Sequence, residues 1–339
     1  MSQVSAKYMN IVEWCQHFHN GELLPEIEML AQRNQCVMDI PWTECNDGTT
    51  HLYSMETVLP TVELTALGQG TTESKSQSAQ EREHCTMLSG FSTVPEQTSL
   101  VGGQQGAMRA KEDRKFAEAM RQAFARHFLY GNRGSNVLEP WGFITRMNTL
   151  TGVKAANVIS CAEGSPVANA QCSALLLNYG PGGVYGIFPK GTTAGYQRMD
   201  RGVQVKTLSN GKQLTVLQTE HCWHFGFVVE NWANGVVRLC NIGTAAAQGL
   251  SGNLAATSTV NVLHKMVDAQ MRLRTPMKPV WYVNDVVHAY LMRVGMEKSS
   301  SVVKVQEAVT QFGNFQELTI YDVPVRRIDQ MLRTEAVVT

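Results

Sequence analysis

An excess of either charge is absent from this sequence of 339 residues. Lysine and arginine together number 29, aspartate and glutamate also number 29, and charged residues make up only 17% of the chain. Proteins that bind nucleic acid through its phosphates normally carry a basic excess, so this class is not favoured. The apolar content of 43% and the zero net charge also exclude a disordered chain. Near-zero net charge gives little protection against self-association, which suits a subunit of a larger assembly.

Long hydrophobic runs are also missing. The best apolar stretches, around residues 174–177 and 225–229, have the length of a strand and fall well short of the ~20 residues that a membrane helix needs. The N-terminal sequence MSQVSAKYMN shows no charged segment followed by an apolar block, so no secretory signal is predicted. We therefore expect no membrane partner and a chain that stays in a cytoplasm.

Closely spaced cysteine pairs are absent as well. None of the 8 cysteines belongs to a C-x-x-C pair, which would bring two thiolates to one metal. Scattered cysteines in a cytosolic protein are usually small buried apolar residues, so we predict neither a disulfide nor a zinc site. The cysteines are Cys15, Cys36, Cys45, Cys85, Cys161, Cys172, Cys222 and Cys240.

The densest group of reactive side chains is His221-Cys222-Trp223-His224. On a strand, successive side chains point to opposite faces, so these side chains would not converge on one metal ion. The sequence contains no Walker, GxSxG, HExxH or DxDxDG motif. We therefore predict no catalytic residue, no cofactor-binding residue, no metal ligand and no cofactor, and we expect that the chain is not an enzyme.

The clearest regular element covers residues 107–130. Phe116, Met120, Phe124 and Phe128 recur every four residues along one stripe, and most charged side chains lie off that stripe. This spacing predicts one long amphipathic helix whose aromatic stripe packs into the core.

Hydrophobic periodicity and turn residues predict most of the other elements. Helices are expected at residues 9–18, 25–33, 256–273, 285–296 and 302–310. Strands are expected at residues 57–67, 174–179, 183–188, 202–208, 213–219, 221–230, 236–240, 280–283 and 318–321. The Asn-Gly pairs at 210–211 and 234–235 predict hairpin turns between their flanking strands.

Residues 54–95 have two interpretations. Val58, Val62 and Leu64 alternate with polar residues, a GQGTT turn follows, and the return segment is polar. These features fit either a long flexible surface loop or a projecting β-hairpin. An isolated hairpin is only marginally stable in water, so a projecting hairpin would need a surface to lie on.

Eight sequence blocks follow one another in a fixed order along residues 25–339. They are PEIEMLAQRN, DIPWTECNDGTTHLYSMETVLPTV, ALGQGTTESKSQSAQ, a helix ending in FLYGN, YGIFPKGTTAGYQRMDRG, HFGFVVENWANGVVRLCNI, PVWYVNDVVHAYL and DVPVRRIDQMLRTEAVV. With these blocks the chain resembles the major capsid proteins of short-tailed double-stranded DNA phages of the epsilon-fifteen kind. The resemblance rests on the order of the blocks and not on any single motif.

The resemblance implies an α+β protein with the Hong Kong 97-like phage capsid fold. Such a fold has an N-terminal arm, an extended E-loop, a peripheral (P) domain with a long spine helix, and an axial (A) domain. The implied division is an arm and connection at 1–53, the E-loop at 54–95, the P-domain at 96–240 with its spine helix at 107–130, and the A-domain at 241–339. The GIFPKG block precedes the DVPVRRID block, whereas a comparable block comes last in many relatives, so a permuted connectivity is expected.

The function implied by the resemblance is that of a major capsid protein. Copies of the chain would assemble into pentamers and hexamers of an icosahedral shell that encloses double-stranded DNA without sequence specificity. Scaffolding, portal and decoration proteins would be further partners. Assembly would take place in the host cytoplasm, and the protein would be located in the virion capsid. The alternatives are an encapsulin-like nanocompartment shell with the same fold and, more distantly, a cytosolic hydrolase.

Overall fold

The structure is a computed structural model of the chain. It describes residues 18–19, 22–23, 32, 34–100, 105–162, 166, 168–208, 210–243, 262–296, 303–310 and 313–339. The helices predicted at 9–18 and 25–33 lie almost entirely outside these residues, and Phe18 at the end of the first one belongs to a short strand. The beginning of the helix predicted at 256–273 also lies outside them.

Helices and strands are mixed along the described chain. The helices are α1 (Cys36–Asp39), α2 (Glu96–Leu100), α3 (Gln105–Tyr130), α4 (Phe143–Arg146), α5 (Trp232–Gly235), α6 (Val262–Arg272) and α7 (Asp285–Met296), with a 3-10 helix at Val153–Asn157. The strands are β1 (Phe18–His19), β2 (Glu22–Leu23), β3 (Trp42–Glu44), β4 (Thr50–Val58), β5 (Gln77–His84), β6 (Thr86–Pro95), β7 (Val158–Ser160), β8 (Gln171–Tyr179), β9 (Val184–Phe188), β10 (Gly195–Thr207), β11 (Gln213–Val229), β12 (Val236–Gly243), β13 (Lys278–Val283), β14 (Val303–Thr310), β15 (Gly313–Ile320) and β16 (Val323–Arg327).

The chain folds into two compact units, each built from segments that are distant in sequence. The first unit includes Met87–Ala125 and Ala194–His224, and the second consists of Asn34–Thr86, Arg126–Thr193 and Phe225–Thr339. Pairing between distant strands decides this grouping, so the units are discontinuous, whereas the predicted P-domain and A-domain are contiguous stretches of sequence. The division into a P-domain at 96–240 and an A-domain at 241–339 stays a prediction.

Strand β8 lies at the centre of the second unit. All 9 of its residues are buried, as expected for a strand that is covered on both faces. It pairs antiparallel with β12 and with β13, and the sheet continues from β13 through β16 and β15 to β14. Helices α6 and α7 contribute Met266, Val287 and Leu291 to the same hydrophobic core as Trp281 of β13.

A buried ion pair attaches the C-terminal segment to the rest of the second unit. The Nη2 atom of Arg238 lies 2.9 Å from Oε2 of Glu335, and both side chains are almost inaccessible to solvent. The Tyr130 hydroxyl donates to Oε1 of Glu335 at 2.6 Å, and the Ser173 hydroxyl donates to Oε2. Arg238 also donates to the carbonyl of Met147 at 2.9 Å. These bonds satisfy both charges, which is the condition under which a buried ion pair is tolerated.

Helix α3 packs against strand β11 within the first unit through aromatic rings. The rings of Phe116 and His221 stack with their centroids 5.3 Å apart, and those of Phe124 and Trp223 stack at 4.4 Å. Phe124 is fully buried and Phe116 is half-buried. The helix predicted at 107–130 and the core role of its aromatic stripe are therefore confirmed.

Most predicted strands are also confirmed, although two that were predicted separately form the single strand β11. The Asn210-Gly211 turn is confirmed because Thr207 pairs with Gln213 across it, and Gly211 has the positive φ of 78° that such a turn favours. The second Asn-Gly hairpin, at 234–235, is wrong. These residues lie in helix α5, and β12 pairs with β8 and β7. The Asn234 side chain bonds to Thr275, so a tertiary contact has replaced the turn.

The helix predicted at 302–310 is wrong as well. Residues Val303–Thr310 form strand β14, which pairs antiparallel with β15 along its whole length. Val303 is buried, and so are Leu318 and Ile320 on the neighbouring strand. Pairing with β15 and burial of the strand end decide the conformation here, because strand formation depends on its neighbours more than on local propensity.

Candidate subunit-interaction hairpin

Strands β4 and β5 form a two-stranded antiparallel sheet of their own within the second unit. The pairs run from Thr50 opposite His84 to Val58 opposite Gln77, with a register shift next to Val58. A hairpin is therefore present, but its limits differ from the predicted 54–95. The following segment, Thr86–Pro95, is strand β6, which pairs with β11.

The strand predicted at 57–67 is mostly a loop. Strand β4 ends at Val58, and residues 59–76, here called the hairpin tip, contain no strand. Pro60 has no backbone N–H to donate to a ladder, so strand pairing stops at this point despite the alternating apolar pattern.

The hairpin tip exposes all of its residues, including several large apolar side chains. Relative to a reference exposed residue, the solvent-accessible area is 73% for Leu59 and 92% for Val62, and Leu64 and Leu67 are fully exposed. Single exposed apolar residues are common on protein surfaces, but a set of them in one short segment is typical of an interaction site. The tip therefore has the composition of a segment that becomes covered by another molecule.

Hydrogen bonds across the hairpin tip give it a defined conformation. The backbone N–H of Thr72 donates to Oε1 of Glu63 at 2.6 Å, and the Ser74 hydroxyl donates to the carbonyl of Thr61 at 2.8 Å. These bonds join the outgoing and returning halves of the loop. An ordered loop loses less conformational entropy on binding than a flexible one would.

A buried ion pair fixes the base of the hairpin. This base, residues 50–53 and 81–85, is called the hairpin root. Glu83 Oε1 lies 2.5 Å from Nη1 of Arg146, and both side chains are almost fully buried. Arg146 also donates to the carbonyls of Trp141 and Phe227, each at 3.1 Å. Burial raises the pKa of the Glu83 carboxyl, and the positive charge of Arg146 opposes this rise.

Aromatic hydroxyl groups make the second set of contacts at the hairpin root. The Tyr53 hydroxyl donates to Oε2 of Glu81 at 2.9 Å, and burial raises the pKa of Tyr53, so the hydroxyl stays protonated. The Tyr185 hydroxyl donates to Oε1 of Glu230 at 2.8 Å and lies 3.0 Å from Nε2 of His51. The root is thus held by side chains while the tip is exposed.

The side chains of the reactive cluster identified in the sequence make two different kinds of contact. The rings of His221 and Trp223 stack on helix α3, and the Cys222 sulfur lies 3.4 Å from Nε2 of His224. Across the part of the chain that the structure describes, no three His, Cys, Asp or Glu side chains are placed to hold a metal ion. Within the same residues, no helix has both the length and the apolar character to cross a membrane.

Sequence reasoning missed the residues that hold the hairpin root. Glu83 and Arg146 are separated by 63 positions, and no local motif marks either of them. Tyr185 and His51 are 134 positions apart. Glu83 lies in a polar segment among other charged residues, so nothing in the sequence identifies it as the partner of Arg146.

Comparison with known proteins gives matches over the whole length of the chain. Residues 19–339 match the family described as "Major capsid protein GP7". The structure is similar to that of bacteriophage epsilon15 determined by cryo-electron microscopy, with a TM-score of 0.73, 24% sequence identity and 100% of each chain covered. This similarity confirms the predicted α+β fold of the Hong Kong 97-like class.

Two further structures have lower scores. The capsid of bacteriophage JBD30 gives a TM-score of 0.48 and 11% identity over 89% of this chain and 92% of that chain. The holo-SrpI encapsulin complex from Synechococcus elongatus PCC 7942 gives a TM-score of 0.43 and 11% sequence identity. The match covers 69% of this chain and 96% of that chain. No curated protein matches the chain by sequence.

Proposed function

The chain belongs to the major capsid protein GP7 family, and from this premise we propose that its copies form the pentamers and hexamers of an icosahedral shell around double-stranded DNA. As a member of this family it is a phage capsid protein that self-associates into a shell and is located in the virion capsid. The encapsulin-like and hydrolase alternatives are not favoured, because a capsid family matches nearly the whole chain.

The exposed hairpin tip is the observation that carries the proposal of shell contacts. Leu64 and Leu67 are almost completely exposed in the single chain, although burying a leucine side chain is worth about 1.5–3 kcal/mol. The ion pair of Glu83 with Arg146 holds the hairpin at its root, so the tip is free to lie on a second copy. Repeated head-to-tail contacts between identical subunits close into rings when the rotation between neighbours allows it.

The parts of the capsid fold can be assigned on the same premise. We assign the hairpin of β4 and β5 to the E-loop and helix α3 to the spine helix. The arm and connection at 1–53, the P-domain at 96–240 and the A-domain at 241–339 follow from the resemblance, except that residues 50–53 belong to strand β4 of the hairpin. Each assignment is tested by the position of these segments in an assembled shell.

The remaining partners follow from the role of a capsid protein. Scaffolding, portal and decoration proteins would contact the shell, and assembly would take place in the host cytoplasm. The equal numbers of acidic and basic residues support weak contacts with packaged DNA that have no sequence specificity. The protein would act as a container and not as an enzyme.

Shortening the hairpin tip tests the proposal. In the full-length chain, residues 60–75 are replaced by a short Gly-Ser linker, which keeps both strands of the hairpin. We expect a soluble subunit with an unchanged circular dichroism spectrum that forms no shells in electron micrographs. Shells of normal size and yield from this variant would contradict the role given to the tip.

Point variants separate the apolar contacts of the tip from its length. The double variant Leu64→Ser with Leu67→Ser should raise the critical concentration for assembly by about tenfold or more, because each lost leucine contact weakens every copy of the interface. Thr65→Ser with Thr71→Ser, at exposed polar positions of the same loop, is the matched control and should assemble as the unmodified chain does.

A further inference from the structure

Two thiols meet beside the hairpin root, and one of them, Cys85, belongs to it. The sulfur atoms of Cys45 and Cys85 lie 3.2 Å apart, and both cysteines are free. Cys45 follows strand β3 and is only 2% exposed, whereas Cys85 lies between β5 and β6 and is half-buried. A disulfide bond is about 2.05 Å long, so an approach of about 1 Å would bring the sulfurs to bonding distance.

Backbone hydrogen bonds hold both cysteines in place. The N–H of Cys45 donates to the carbonyl of Phe188, and the N–H of Cys85 donates to the carbonyl of Thr49, each at 3.0 Å. The two side chains also belong to one apolar cluster with Tyr53, Tyr185, Ile187 and Val228. The contact between the thiols is therefore part of a packed region and does not depend on an exposed loop.

We propose that Cys45 and Cys85 form a redox-sensitive pair that closes to a disulfide when the chain meets a small disulfide such as oxidised glutathione. The proposal differs from the expectation drawn from cysteine spacing, because the two residues are 40 positions apart and only the fold brings them together.

The reaction consists of two thiol–disulfide exchanges. The Cys85 thiolate attacks one sulfur of glutathione disulfide, the sulfur–sulfur bond of that reagent breaks, and one glutathione thiolate leaves. The Cys45 thiolate then attacks Sγ of Cys85, and the second glutathione thiolate leaves. The two protein thiols lose two protons and two electrons, and glutathione disulfide takes them up as two thiols.

Exposure sets the order of the two steps. Cys85 can be reached from solvent, while Cys45 is enclosed and can react only with a sulfur already beside it. Burial raises the pKa of both thiols, which lowers the fraction of thiolate near neutral pH. We therefore expect slow closure at pH 7 and faster closure in mildly alkaline solution.

The disulfide would clamp the hairpin root. The covalent loop from Cys45 to Cys85 contains all of β4, the hairpin tip and β5. Reducing conditions inside a cell keep such thiols open, and oxidising conditions outside favour the bond. If the chain is a shell subunit, as the proposed function holds, the clamp would close after the shell leaves the cell.

Mass spectrometry of the full-length chain tests the proposal without any shell. The protein is incubated with oxidised glutathione at pH 8, quenched in acid, and alkylated with N-ethylmaleimide in denaturant. We expect two fewer alkylated cysteines than in the untreated chain and a tryptic peptide pair joined through Cys45 and Cys85. Complete alkylation, or a bridge between other cysteines, would overturn the proposal.

Two variants check the order of the steps. Cys45→Ser should stop at a single glutathione adduct on Cys85, because the second thiol is missing. Cys222→Ser, whose sulfur in the native chain contacts His224 instead of another thiol, should still form the bridge. Loss of the bridge in Cys222→Ser, or no adduct on Cys85 in Cys45→Ser, would contradict the mechanism. Because no assembly is needed, failure here leaves the capsid proposal untouched.

Discussion

At the scale of single residues, His221 shows how the first unit accommodates a buried titratable group. The side chain is fully buried, its Nε2 atom lies 3.4 Å from Oδ1 of Asp113, and the Tyr196 hydroxyl bonds to Nδ1. Asp113 is paired in turn with Arg198 at 2.6 Å. Burial lowers the pKa of His221, and the negative charge of Asp113 opposes this only in part. The imidazole is therefore neutral in the folded chain at neutral pH.

This lowered pKa makes stability depend on pH in a known direction. The folded state binds fewer protons than the unfolded state between the folded pKa of His221 and its ordinary value of 6.5. The contribution of His221 to the free energy of unfolding is therefore fully present above pH 6.5 and falls as the pH drops from 6.5 towards the folded pKa. We expect the urea midpoint to decrease between pH 7.5 and pH 5.

Substitutions of the buried cluster isolate the contribution of His221. His51, His84 and His127 also have pKa values lowered by burial, so they add to the decrease with the same sign. The raised pKa of the Glu83 carboxyl acts in the opposite direction. The variant His221→Gln should therefore keep part of the decrease but show a smaller slope than the native chain. Equal slopes for His221→Gln and the native chain would refute this assignment.

At the scale of elements, helix α3 depends on its aromatic stripe. Phe124 is completely buried and stacks on Trp223, so Phe124→Ala leaves a cavity that typically costs about 3–5 kcal/mol. Thermal unfolding should show a clearly lower midpoint for this variant. Phe124→Leu keeps most of the volume and should cost less, as should Phe116→Ala, because Phe116 is only half-buried. An unchanged midpoint for Phe124→Ala would mean that the stripe does not stabilise the fold.

The elements that could be predicted from the sequence are those specified by local pattern. Helix α3 was predictable because its four-residue repeat, from Phe116 to Phe128, lies within one segment of the sequence. Strand β14 was not, because its conformation follows from pairing with β15. The hairpin was recognisable from alternation and turn residues, but its limits depend on Pro60 and on packing at the root. The ion pair of Glu83 with Arg146 joins distant segments and has no signature in the sequence.

At the scale of the whole molecule, the balance of charges bears on whether copies of the chain repel one another. With 29 acidic and 29 basic residues, copies of the chain carry no net repulsion that would oppose their association. Many modest contacts can then hold a closed assembly, because each subunit is retained by several neighbours at once. Composition and periodicity do not indicate that a second copy covers the hairpin tip. That proposal depends on the resemblance and on the family match, because a contact between two copies leaves no motif in the sequence of one.

The exposure of the hairpin tip also makes the chain a substrate for proteases before it assembles. Exposed loop tips are preferred sites of proteolytic nicking, and Lys75 is the only basic residue of the tip. Brief digestion of free subunits with trypsin should therefore cut after Lys75, while subunits whose tips are covered in shells should stay intact at this bond. Equal cleavage in both states would mean that the tip remains uncovered. The uncut fraction, followed over time on a gel, would then record how many subunits have become committed to a shell.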